Sequence, residues 1–208
     1  MRVIFGANAR GGPDTRAAAK GLGVSQRTVQ RWLHGQDRWR AKIPDSRLRE
    51  ILWLIRPDEQ VLRAERYAAD YARDAVKCIR GRRGILPAWR KQHWLDPHLV
   101  VVLRLHNLGL HQVVVSRGSS RAMQELRRRG VVVDETTVDS RFHGTALAHE
   151  LLQAVDPWRA VSSPALVKQG HTQTWMPDAP VPDLEQLAVT TGLWAAPSPG
   201  GKPARKKR

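Results

Sequence analysis

The run Ser25-Gln26-Arg27-Thr28-Val29-Gln30-Arg31-Trp32-Leu33-His34 places two carboxamides, two guanidiniums, two hydroxyls and an imidazole within ten residues. These groups can read and hold nucleic acid. A glutamine amide pairs with both edge groups of adenine, an arginine forks onto guanine, and a threonine reaches a phosphate or the thymine methyl. Wound as a helix, the run collects Val29, Trp32 and Leu33 on one apolar face. Gln26, Arg27, Thr28, Gln30, Arg31 and His34 are then left facing outward. Base contacts usually come from the N-terminal part of such a helix. Gln26, Arg27 and Gln30 are therefore the expected base readers. Ser25, Thr28 and Arg31 are expected at phosphates or the helix start, and Arg38 and Arg40, just beyond, at phosphates.

The residues before this run must hold it in place. In TRAAAKGLGVSQRTVQRWLHG, Thr15 can cap a first short helix and Ser25 the second. Ala18 and Ala19 are small enough for the second helix to pass close by. Gly23 falls at the turn, where a positive φ costs only glycine nothing. Leu22 and Val24 flank it and face inward, and Gly35 is a suitable stop. Two short helices at a steep angle across such a turn make a helix-turn-helix.

The stretch LGVSQRTVQRW resembles the turn and recognition helix of bacterial helix-turn-helix regulators. It is also similar to the corresponding stretch in the terminal proteins that cap actinobacterial linear chromosomes and plasmids. The likeness covers about twenty residues, a tenth of the chain. It implies double-stranded DNA as partner. In the terminal-protein case it also implies a Ser, Thr or Tyr hydroxyl that primes synthesis.

The bulk charge agrees with an anionic partner. The 208 residues carry 35 Lys plus Arg against 19 Asp plus Glu, a net charge of +16. The charge is unevenly placed. Residues 1–130 hold 27 basic and 11 acidic side chains, residues 131–194 hold 3 and 8, and the last fourteen add five positive charges. A polyanion is expected to meet the first 130 residues and the tail. No apolar run approaches the roughly 18–20 residues that a membrane span needs, and the apolar start at Met1 is too short for a secretory signal. A cytoplasmic, nucleoid-associated protein with no membrane partner is expected. Cys78 is the single cysteine, which excludes an intrachain disulfide and the usual multi-cysteine zinc sites.

The patterning predicts an α+β chain, mostly α. A helix-turn-helix domain would span 1–56, a connecting helix 57–84, a small α+β region 85–194, and a disordered basic tail 195–208. Asp45 or Ser46 can cap a short helix carrying Leu48, Ile51, Leu52 and Ile55. Pro57 suits the first position of the longer helix, with Asp58 and Glu59 in its first turn. Val61, Ala64, Ala68, Tyr71, Ala72, Ala75 and Ile79 form its apolar stripe. Val100–Val102, Val113–Val115 and Val131–Val133 read as strands, the first two joined through Asn107-Leu108-Gly109 as a hairpin. A helix capped by Ser119 or Ser120 is expected to end at Arg129-Gly130. Further helices are expected from Thr145 to Val155 and from Asp183 to Thr190.

Other constellations compete for attention. Asp134-Glu135-Thr136-Thr137-Val138 through Phe142-His143-Gly144 repeats the pattern of 25–35, as in a duplicated reading unit. Asp134, Glu135 and Asp139 suggest a divalent metal, as in a nuclease or recombinase subunit. His93, His98, His106 and His111 could converge on zinc, and Trp89 and Trp94 among basic residues could stack on bases. The more ordinary readings are a charged strand end, separate histidines and core tryptophans. The expectation is therefore a non-enzymatic, sequence-specific DNA-binding protein without cofactor, metal or catalytic residues. It would act in transcriptional control on a phage, plasmid or other mobile element, as a homodimer reading two half-sites. A telomere or replication protein of a linear replicon is the alternative.

Overall fold

The valine runs form strands, as β-branched residues favour; Val100–Val102 is buried on both faces, whereas Val131 and Val133 are exposed. The computed structural model describes residues 8–10, 12–34, 55–106, 108–162 and 167–193, together with Phe5, Pro44 and Pro164. In it the runs lie in β1 (His98–Leu105), β2 (His111–Ser116) and β3 (Gly130–Val138), and a two-residue β4 (Thr174–Trp175) completes an antiparallel sheet. The strand order is β3-β1-β2-β4. Val101 pairs with Val114 on one side and with Glu135 on the other.

Alternation along β1 divides the core into two layers. Val101 and Leu103 face Met123 and Leu126 of α5 (Ser120–Arg129). Val100 and Val102 face the opposite way, toward Phe142, Leu147 and Leu151 of α6 (Arg141–Ala154) and Ala72, Ala75 and Val76 of α3 (Glu59–Arg80). Short α4 (Pro87–Lys91) and α7 (Leu184–Thr190) close this second layer, contributing Trp89, Leu184 and Ala188. The chain is thus α+β, with seven helices and four strands among the described residues.

Helix starts follow side-chain caps. Ser119 accepts from the Ala122 amide, Asp183 from Gln186, and Asp58 from Val61. With Asp58 as the cap, Pro57 stands one residue before it rather than at the first helical position. The buried face of α3 is Ala69, Ala72, Ala75 and Val76, while Ala64, Ala68 and Tyr71 are exposed. The stripe expected from the sequence is therefore rotated. Alanine is apolar enough for either face, and the side α3 presents to α6 is set by close packing, which only small residues permit.

The expected helix from Thr145 begins four residues earlier, at Arg141, because the Ser140 hydroxyl accepts from the His143 amide. Upstream, Asp134 to Val138 are paired with β1. The duplicated reading unit is thereby overturned, since the segment that would have been its helix is a strand.

Gly130 joins α5 to β3 under a tight constraint. A Cβ there would stand 2.5 Å from the Arg104 carbonyl oxygen, so only glycine lets the strands meet as the helix ends. A buried ion pair ties α3 to the segment after α6: Arg159 forks onto both oxygens of Glu65 at 2.9 and 3.1 Å and also reaches the Thr172 carbonyl. No described helix is long and apolar enough to cross a membrane.

Candidate nucleic-acid interface

The N-terminal unit is a pair of short helices, α1 (Thr15–Gly21) and α2 (Gln26–His34). α1 is capped by Asp14, whose carboxylate accepts from the amides of Arg16 and Ala17 at 3.0 and 2.9 Å. The expected cap was Thr15. Asp14 takes that position because a carboxylate one residue earlier reaches two free amides and also favours the positive end of the helix dipole. Leu22, Gly23, Val24 and Ser25 make the turn. Gly23 has φ +60° and nothing within 4 Å of where a Cβ would stand, so glycine is required there by backbone conformation rather than by space. Ser25 accepts from the Thr28 amide at 3.1 Å, as a cap should.

Small residues on α1 let α2 approach. Ala18 and Val29 have no exposed surface, and Ala19 is buried beside them. Phe5, Val24, Trp32 and Leu33 pack partly buried around this nucleus. The outward face of α2 carries Gln26, Arg27, Gln30 and Arg31, all exposed. Thr28 is half-buried, its hydroxyl engaged with that of Ser25 at 2.8 Å. It therefore faces the turn rather than standing free for a phosphate. His34 closes α2. Arg38 and Arg40 lie outside the described residues, as do the expected short helix up to 54 and the tail 195–208.

Gln26 is less free than its exposure suggests. Its amide nitrogen donates to the Thr15 hydroxyl at 3.0 Å. One donor thus positions α2 against α1, and the carbonyl oxygen has no hydrogen-bond partner among the described residues. The sequence gives no sign of this bond, because it depends on how the helices cross. Two further exposed cations, Arg16 and Lys20, stand on α1. No acidic residue occurs between Thr15 and His34, so the charged side chains of the two helices are all positive, the nearest carboxylate being the Asp14 cap.

The other constellations disperse. Asp134 accepts from the amides of Glu135 and Leu184, which commits its carboxylate to fixing the start of α7, while Glu135 is exposed. No cluster of three metal-ligating side chains occurs among the described residues. His93 pairs with Asp96, His98 is buried against the Asp96 carbonyl, His106 contacts the Arg127 carbonyl, and His111 is buried against Trp175. His98 and His111 sit at opposite ends of the hairpin, since His111 pairs with Arg104. Trp89 is buried and donates to the Tyr71 hydroxyl. Trp94 is half-buried under the Arg141 guanidinium, 4.7 Å from its ring centre.

No protein-family model, no curated protein and no solved structure matches this chain.

Proposed function

We propose that this chain binds double-stranded DNA sequence-specifically, using α1 and α2 as a helix-turn-helix with α2 in the major groove, and acts in transcriptional control on a mobile element. One observation carries the reading. α2 turns Val29, Trp32 and Leu33 toward Ala18 and Ala19 and sends Gln26, Arg27, Gln30 and Arg31 outward, with no carboxylate from Thr15 to His34 to repel phosphate. Arg27 and Gln30 read bases, with Gln26 contributing its carbonyl oxygen. Arg31, Arg16 and Lys20 meet the phosphate backbone, which supplies most of the affinity and none of the sequence information.

A unit this small usually reaches specificity by pairing across two half-sites, so a homodimer on a palindromic site belongs to the proposal. The test is selection of random duplex DNA by the purified protein. Enrichment of a site with two-fold symmetry supports it. A pool that stays random, or a selected site bound equally by an Arg27→Ala, Gln30→Ala double variant, refutes it.

A second reading keeps the same DNA-binding unit but places it at the ends of a linear replicon. The likeness of LGVSQRTVQRW to terminal proteins favours it, and the phenol of Tyr67, 77% exposed on α3, is an accessible hydroxyl. Incubation with a labelled nucleotide and a polymerase separates the two, since only the second reading yields covalently labelled protein.

A further inference from the structure

Three described arginines are not exposed: Arg73, Arg129 and Arg159. Arg73 pairs with Glu150 and Asp70, and Arg159 with Glu65. Arg129 differs. Its Nη2 donates to the Gln112 side-chain oxygen and to the Gln169 carbonyl, both neutral, and no carboxylate among the described residues lies within ion-pair distance. Burial pulls its guanidinium below the ordinary arginine value, and Glu125 opposes this only at longer range. A cation partly withdrawn from water without a counter-charge carries a share of the desolvation cost of a buried ion. A bound anion would relieve that cost.

Arg129 opens onto a groove of about 880 Å³ between α5 and residues 167–169. Three more cations line it, Arg121, Arg128 and Lys168, and Glu125, 3.9 Å from the exposed Arg128 guanidinium, is the one acid among the described lining residues. Leu105, Leu108 and Val167 supply an apolar floor. Arg121 and Arg128 are seven residues apart on α5, about 10 Å along the helix at 1.5 Å per residue. They would therefore meet charge distributed along a chain rather than a single phosphate. The groove has the volume of a small-molecule site, which suits one strand's backbone better than a whole duplex. No described lining residue is aromatic, so these residues offer no stacking platform for reading bases.

We propose that the α5 groove holds the phosphate backbone of single-stranded DNA, without sequence preference, as a second nucleic-acid site separate from α2. This site stands whether or not α2 reads a duplex.

The test is the salt dependence of binding of a fluorescent oligo(dT) strand to the full chain. Each phosphate neutralised on a single strand contributes about 0.7 to the slope of log affinity against log salt. The Arg121→Gln, Arg128→Gln double variant should lose about 1.4 from that slope and bind at least tenfold more weakly at low salt. Its thermal unfolding should not change, because both side chains are exposed. The Arg27→Ala, Gln30→Ala variant should bind oligo(dT) as the parent does, so a failure of the duplex reading stays distinguishable. An unchanged slope in the groove variant would overturn the site and assign single-strand binding to other cations. So would absence of oligo(dT) binding at low salt, or displacement of the strand by poly-glutamate at equal charge concentration.

Discussion

The Gln26 side-chain amide donates to the Thr15 hydroxyl across 3.0 Å, linking the first residue of α2 to the first of α1. α2 is thus oriented by one of the residues expected to read bases. Arg27 makes no such internal bond among the described residues and should carry more of the base discrimination. On a selected duplex site, Arg27→Ala should cost about 1–3 kcal/mol and relax preference at one base pair. Thr15→Val should cost less. Its effect should largely vanish in a Gln26→Ala background, because the two residues act through one bond. Anisotropy titrations over that double-mutant cycle check it, and additive losses would show that the bond does not position α2.

Gly23 is held at φ +60° with open space around its α-carbon. Gly23→Ala therefore introduces no clash, only the left-handed penalty of about 1–2 kcal/mol. Asparagine tolerates that region better, so Gly23→Asn should fall between the parent and Gly23→Ala. Duplex affinity and proteolysis of the N-terminal unit should follow this order. A Gly23→Ala variant indistinguishable from the parent in both would show that the turn relaxes to another conformation.

Three buried histidines should make stability depend on pH. His111, His143 and His149 are each pushed below their ordinary value of 6.5, chiefly by desolvation. Their unfolded forms therefore bind protons that the folded forms refuse. By linkage, stability is fully present above about pH 6.5 and is lost as pH falls from there toward the depressed folded values. Urea midpoints should decline from pH 7.5 to 5. In His143→Gln the decline should be shallower, since Gln cannot be protonated there. An equal decline in parent and variant would assign the pH sensitivity to other groups.

Much of this architecture is legible from local chemistry. Valine triplets favour strands, so strands were readable at 100–102, 113–115 and 131–133, as were the Ser119 cap and Gly130 stop of α5, although only 100–102 is buried on both faces and Val131 and Val133 are exposed. What escaped the sequence is tertiary. The alanines of α3 are neutral about which side they bury, and only contact with α6 chooses Ala69, Ala72 and Ala75 over Ala64 and Ala68. Asp134-Glu135-Thr136-Thr137-Val138 looks like a helix cap followed by a helix until pairing with β1 claims it. At the candidate site, burial of Val29 and exposure of Gln26, Arg27 and Gln30 follow from helical periodicity. The Thr15 bond to Gln26 and the uncompensated Arg129 could not be foreseen, because each joins segments whose approach no local pattern encodes.

Gly130 answers to space rather than conformation, its backbone being extended. A methyl group there would press on the Arg104 carbonyl oxygen at 2.5 Å, and a strand backbone cannot yield as a flexible side chain can. Gly130→Ala should destabilise by about 1–3 kcal/mol, the usual range for overpacking. Urea denaturation should show the loss at an unchanged slope. No loss would mean that β1 and β3 separate at this end without penalty.

The Glu65–Arg159 pair gives the sharpest stability test. Its side chains are 14% and 3% exposed, and the bond is bidentate, so the two charges satisfy each other away from water. Glu65→Ala leaves a buried guanidinium facing no carboxylate and should cost about 3–5 kcal/mol. Glu65→Gln keeps an acceptor in place but removes the charge and should cost less. Replacing both partners, as in Glu65→Leu with Arg159→Met, should recover most of the stability lost by Glu65→Ala, because the penalty arises from stranding one charge rather than from losing the attraction. The Arg159 bond to the Thr172 carbonyl is lost in that double variant, so recovery should stop short of the parent. If the double variant were less stable than Glu65→Ala alone, the pair would be a net source of stability, and desolvation would not be the dominant cost at this position.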